Sequence, residues 1–187
     1  MFRVVTGSAC GLVVVLAVAW STLAQPTSVA GRAHPWSGNT SSADAAAAFE
    51  RCVEHAGDGT FVMGPAHLRD DGQLVVGAIS GDTIMKCGVD EFGVRVSTTD
   101  PARYPVRERG FGLPLSTGYD DRLGATLVGY AGDDVVAVNF RTPDGRVIPA
   151  RVRQGVYLLE LPAEANYDHG DLTHEAFDAT GAVIPGR

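Results

Sequence analysis

The chain has 187 residues, 45% apolar and 20% charged, and its 15 basic side chains against 22 acidic ones give a formal charge of -7. That is enough apolar material for one ordinary core and too much for a disordered chain. An acidic balance with no basic run excludes the clustered positive charge on which binding to nucleic acid or anionic lipid depends.

Met1, Phe2 and Arg3 form a short positive head before an uncharged run, Val4 to Ala19, dominated by Val, Leu and Ala. This pattern predicts a secretory signal peptide over residues 1–24. Small residues at Thr22 and Ala24 place cleavage before Gln25, and Ala17 with Ala19 offers a second site before Trp20. The alternative is an uncleaved anchor, since about 20 apolar residues span a bilayer. A membrane is expected as a partner only in that case. Thr6, Gly7 and Ser8 break the apolar stretch and favour cleavage, and Cys10 lies too early in it to be a lipidated cysteine.

Removing the leader takes one Arg from the 15 basic residues and none of the 22 acids, so the mature net charge is 14 minus 22, or -8. Two cysteines remain, Cys52 and Cys87. Outside the cytoplasm such a pair is expected to form a disulfide. A redox or metal role is disfavoured, because there is no Cys-x-x-Cys and no third soft ligand nearby.

Residues 25–43 are rich in Pro, Ser, Thr and Gly without periodicity and read as a flexible linker that contains His34 and Trp36. A single globular β-rich domain is expected over 44–187, with a possible seam at 99–123. Ser41 with Asp44 can cap a helix start, Phe49, Cys52, Val53 and Ala56 recur at helical spacing, and Gly57 supplies the stop. Cys52 then lies in the buried stripe.

An antiparallel meander follows. Asp70, Asp71 and Gly72 separate a segment around Phe61 to Met63 from Leu74 to Ile79, and Gly81 with Asp82 precedes Thr83 to Cys87. Phe92, Val94 and Val96 alternate with polar or small residues and predict one dry face. Leu74, Val75, Val76, Ala78 and Ile79 do not alternate, so that strand is expected to be central and covered on both sides, with the helix as one cover.

From Thr98 to Arg122 periodicity disappears, an unusual length for an unstructured connection. Arg and Tyr are frequent interface anchors, so Arg103, Tyr104, Arg107, Arg109 and Phe111 form the candidate partner-facing surface. A Pro-stiffened crossover is the plainer reading, and 14 Arg to one Lys across the chain points to codon usage rather than to selection at this loop. Four strand-forming runs come next, Ala125 to Tyr130, Val135 to Phe140, Arg146 to Val152 and Val156 to Leu161, separated by Gly132-Asp133-Asp134, Pro143-Asp144-Gly145 and Gln154-Gly155. Val136, Val138 and Phe140 are expected on one face, as are Tyr157, Leu159 and Leu161. A final hairpin turns at Thr180-Gly181. The predicted fold class is mainly β (α+β): sandwich-like antiparallel sheets with one N-terminal helix tied on by the disulfide.

The segments DGRVIPARVRQGVYLLELP (Asp144 to Pro162) and EAFDATGAVI (Glu175 to Ile184) resemble the C-terminal ends of exported proteins from high-GC Gram-positive bacteria. The likeness covers about the last 55 residues. It implies an extracytoplasmic β-rich domain and brings no catalytic residues with it.

The sharpest polar cluster is Asp168, His169, Asp171 and His174, with Glu175 beside it. Such ligands suit a divalent cation, although two His five apart share neither a strand face nor a helix face, and a solvated loop is the plainer reading. Ser80 lacks the spacing of a nucleophile elbow. The Asp pairs at 70–71, 120–121 and 133–134 read as structural, two of them at hairpin turns. No phosphate loop or other cofactor motif is present. The expectation is an exported, non-catalytic binding protein of the cell envelope or extracellular space with a protein or cell-wall partner. The alternative is a metal-dependent extracytoplasmic hydrolase using residues 168–175.

Overall fold

The computed structural model describes residues 40–57, 59–103, 111, 115–116, 124–162 and 171–184. The leader, most of the linker, and Tyr104, Arg107, Arg109, Asp168 and His169 lie outside the described residues.

The helix α1 (Ser42–Ala56) starts where local chemistry satisfies its free amides. Ser41 Oγ accepts the Asp44 amide at 3.1 Å and donates to the Asp44 carboxylate at 2.7 Å. Gly57, at φ 79°, ends it. Ala45, Ala48 and Cys52 form its buried stripe, with Phe49, Val53 and Ala56 at the margins.

Four strands, β1 (Val62–Leu68), β2 (Leu74–Ser80), β3 (Thr83–Asp90) and β4 (Gly93–Thr98), form an antiparallel meander in sequence order. The edge strand β1 tolerates Pro65 because a bulge between Met63 and Ala66 takes it out of the ladder. The central strands are dry on both sides, as the unbroken apolar run in β2 predicts. On the outer face Val76, Ala78, Met85 and Cys87 pack under α1, and the Cys52–Cys87 disulfide joins the helix to β3. On the inner face Val75, Ile79 and Ile84 meet a second sheet.

The second sheet has six strands in the order β10-β7-β8-β9-β6-β5: β5 (Leu115–Ser116), β6 (Ala125–Tyr130), β7 (Ala137–Arg141), β8 (Val147–Arg153), β9 (Val156–Leu161) and β10 (Thr173–Phe177). It curls because β8 pairs with β7 through Val147–Ala150 and with β9 through Arg151–Arg153. Val138, Phe140 and Ala176 on one limb thereby meet Leu127, Tyr157 and Leu159 on the other. The opposite face of β6 and β9 presents Val128, Tyr130, Val156 and Leu158 to the first sheet. Close approach of the two sheets depends on Gly77, where a Cβ would come within 2.9 Å of Val128 and 3.1 Å of Val156.

Three expectations change. Phe92 is not on the dry face of β4: the Asp90 side chain accepts the Phe92 amide, so Glu91 and Phe92 form the two-residue turn and the ring stands out, 87% exposed. Val94 and Val96 keep their places under the helix. Val136 precedes β7 and is exposed rather than sharing the face of Val138 and Phe140, its amide being used by the Phe177 carbonyl. The aperiodic stretch 98–122 contains a short strand, β5, paired with β6.

Replacing both Cys52 and Cys87 by Ala should cost about 2–5 kcal/mol, the usual loss for a native disulfide in a small domain. Denaturant unfolding measures it, and α1 amides should lose exchange protection before those of β6 and β9.

Candidate functional site

The β1–β2 and β3–β4 turns lie at the same end of the first sheet, since Leu74 pairs with both Leu68 and Val89. Between them is an open cleft of about 480 Å³ lined by Asp71, Gly72, Gln73, Asp90, Glu91, Phe92 and Arg95. Its frame is a set of short-range bonds. Asp71 accepts the Gln73 amide at 3.0 Å, the Gln73 side chain donates to Asp90 at 3.2 Å, and Asp90 also accepts the Phe92 amide at 2.9 Å and pairs with Arg95. Desolvation alone would raise the Asp90 carboxyl. Gln73, the Phe92 amide, Arg95 and the Gly93 amide outweigh it and hold the group below the usual carboxylate range. The tip is therefore a braced hairpin carrying an aromatic ring in solvent. Chemically it offers an apolar knob flanked by the exposed Glu91 carboxylate and Arg95 guanidinium.

A second polar group lies inside the seam between the sheets. From the first sheet come His67 and Arg69, each 7% exposed, and Lys86, 5% exposed; from the second come Thr126, Arg151 and Glu160. His67 Nε2 stands 2.7 Å from Glu160 Oε1 across the seam. Nδ1 of the same ring is buried with no hydrogen-bond partner among the described residues. Arg151 is 3.9 Å from the other Glu160 oxygen. Burial would raise the Glu160 carboxyl, yet His67, Arg151 and Arg69 together keep it below its ordinary value. Lys86 Nζ donates to the Thr126 carbonyl at 3.2 Å, while Arg69 donates to the Thr126 hydroxyl at 3.4 Å. Burial, and secondarily Arg69, bring the Lys86 amine down to about 7.

Of the residues singled out from sequence that the structure describes, Phe111 and His174 are brought together. Arg103 is in an exposed turn. Phe111, expected to face a partner, inserts its ring into the curled sheet, stacked on His174 at 3.7 Å and on Tyr157 at 5.1 Å, with Phe140 tilted beside it. It is a core anchor for the crossover. Tyr157 fits there because its partner across the ladder is Gly129, where a Cβ would sit 2.6 Å from the phenol ring. His174 spends one ring face on Phe111, and burial lowers its basicity. Asp171 is exposed. Among the described residues no three His, Cys, Asp or Glu side chains come together as a metal site.

Sequence reasoning missed both polar sites. The signal for the first is an aromatic inside Asp90-Glu91-Phe92-Gly93, a turn-forming tetrapeptide that alternation alone absorbs into a strand. The signal for the second is the chain's one lysine, Lys86, set within the apolar run of β3. The chain matches no protein-family model and no curated protein.

Two substitutions separate the aromatic roles. Phe111→Ala should lower stability by about 2 kcal/mol, less than a fully buried ring because Phe111 is only half-covered, whereas Phe92→Ser should leave the melting temperature unchanged. Glu160→Gln should destabilise the protein at neutral pH. The loss should vanish in acid, because a carboxyl held low in the folded state contributes stability above its unfolded pKa and loses it as pH falls through the folded one. Thermal unfolding of both proteins between neutral pH and about pH 3 checks the sign.

Proposed function

We propose that this chain is an exported binding module that grips a protein partner through the Phe92 hairpin tip. Export is supported by the leader pattern of residues 1–24. A disulfide, with no helix among the described residues long and apolar enough to cross a membrane, is compatible with an extracytoplasmic location.

The single observation that carries the binding reading is Phe92: a large apolar side chain, 87% exposed, on a turn braced by Asp90, Gln73 and Arg95. Scattered exposed valines are ordinary surface. A ring projecting whole from a rigid turn exposes area that a partner pocket can desolvate, with little side-chain entropy left to lose. One convex knob suits a protein surface with an apolar socket better than a flat stacking platform would. Glu91 and Arg95 are placed to form the polar rim.

A photo-crosslinking phenylalanine analogue at position 92, expressed in the native host, should yield a discrete protein adduct in the exported fraction. The same analogue at Val147, exposed on another part of the surface, should not. No adduct at 92, or the same adducts at both positions, removes the reading. N-terminal sequencing of the recovered protein should begin at Gln25.

A further inference from the structure

The seam between the sheets has two unlike halves. One is apolar, built from Val75, Ile79, Ile84, Val128, Val156 and Leu158. The other buries Lys86 and Arg69 with fewer carboxylates than cations among the described residues. Lys86 and Arg69 converge on a single neutral residue, Thr126, one on its carbonyl and the other on its hydroxyl. Arg69 has Asp71 at 3.7 Å and His67 has Glu160 at 2.7 Å, but among the described residues no carboxylate pairs with Lys86. A buried, unpaired ammonium beside a guanidinium is among the costliest arrangements a protein interior can hold. The amine can escape that cost in two ways: it gives up its proton, or the seam opens and lets water in.

We propose that this seam is a proton-operated latch, shut while the Lys86 amine is neutral and loosened when that amine takes up a proton beside Arg69.

The neighbouring groups fix the direction. Among the described residues, the charged or titratable groups on the inner side are His67, Arg69 and Asp71 from β1 and its turn, Arg95 from β4, Tyr130 from β6, Arg151 and Arg153 from β8, Glu160 from β9, and Asp90 on β3 itself. The guanidinium groups stay charged at any pH the fold meets, and carboxylates take up protons only in the acid range. His67 faces the Glu160 carboxylate, whereas Lys86 faces Arg69 and the neutral oxygen of Thr126. Loosening near neutrality therefore falls to Lys86.

The closed state holds the amine at about 7 and the solvated amine titrates near 10.5, so between those values opening takes up a proton. Closure strengthens as pH rises through that window and is weakest, and flat, below about 7. The outer face of the first sheet is pinned by the disulfide and α1, which confines the change to the inner side. The latch is independent of the Phe92 reading.

Hydrogen exchange of the intact protein at about pH 6 and about pH 8.5, corrected for intrinsic rates, tests it. Amides of β1, β2, β6 and β9 should exchange about tenfold or more faster at the lower pH, while α1 amides keep their protection. In Lys86→Met the difference should disappear, and in His67→Gln it should remain. Equal protection of the natural protein at both pH values overturns the proposal, as does a difference that survives in Lys86→Met or is lost in His67→Gln. If Lys86→Met does not fold, the Lys86 Nζ resonance is followed in the natural protein. Titration near neutrality, with shifts in β6 and β9 amides, supports the latch, and titration in the ordinary range near about 10 overturns it.

Discussion

The fold depends on β2 and β3 being desolvated on both faces. Val76, Ala78, Met85 and Cys87 need a cover on one side, Val75, Ile79 and Ile84 on the other, and the meander supplies neither by itself. α1 closes the first side and is held there covalently. The second side is closed by β6 and β9, which are themselves double-sided: Val128, Val156 and Leu158 point to the first sheet, Leu127, Tyr157 and Leu159 into the curl. Each layer is thus a lid for the next. Gly77 controls how tightly the lids meet, because any Cβ there would collide with Val128 and Val156 and push the sheets apart.

That stacking explains why the seam can carry charge at one end. Apolar burial at the Val75–Val156 end supplies the main force that holds the layers together, since the desolvation cost of ion pairs is close to what they return. At the polar end Lys86 and Arg69 are a burden on the fold, offset in part by Glu160. Thr126 answers two cations with neutral oxygens, and His67 leaves a ring nitrogen without a hydrogen-bond partner among the described residues.

Most of the architecture was legible because it is written in short-range rules. The Ser41 and Asp44 cap, the Gly57 stop, the Asp-Gly and Gln-Gly turns, and the unbroken run of β2 all respond to neighbours within a few residues. The disulfide was legible from the cysteine count together with the export expected from residues 1–24. Errors came where one residue satisfies two local patterns. Phe92 fits both a strand alternation and a turn, and the choice is made by the Asp90 carboxylate taking its amide. Val136 is withdrawn from its strand by a carbonyl 41 residues away, that of Phe177. The polar seam was illegible for a stronger reason: Lys86 and Thr126 are 40 residues apart and meet only because separate sheets stack. Phe111 shows the same limit, since an aromatic in an aperiodic stretch looks like a free anchor until the curled sheet offers it a slot between His174 and Tyr157.

The contrast between the two phenylalanines bears on how this protein works. Both belong to segments that join strands, and both sit among polar or small residues in the sequence. Phe111 is satisfied intramolecularly: its ring contacts two stacked rings and a tilted one, so its exposure gives a partner little. Phe92 has no such slot and stays in water. Its backbone is nonetheless braced, with Asp90 bonded to the Phe92 amide, the Gln73 amide group and the Arg95 guanidinium at once. A turn stabilised by its own polar bonds does not need its apolar side chain for folding, which leaves that side chain available for the contact proposed above. The disulfide adds to this, because it stiffens β3, the strand that carries Cys87 in its middle and Asp90 at its end. On the proposed reading, a tip prepared in this way would bind with little ordering left to do, the property expected of a module that holds rather than transforms.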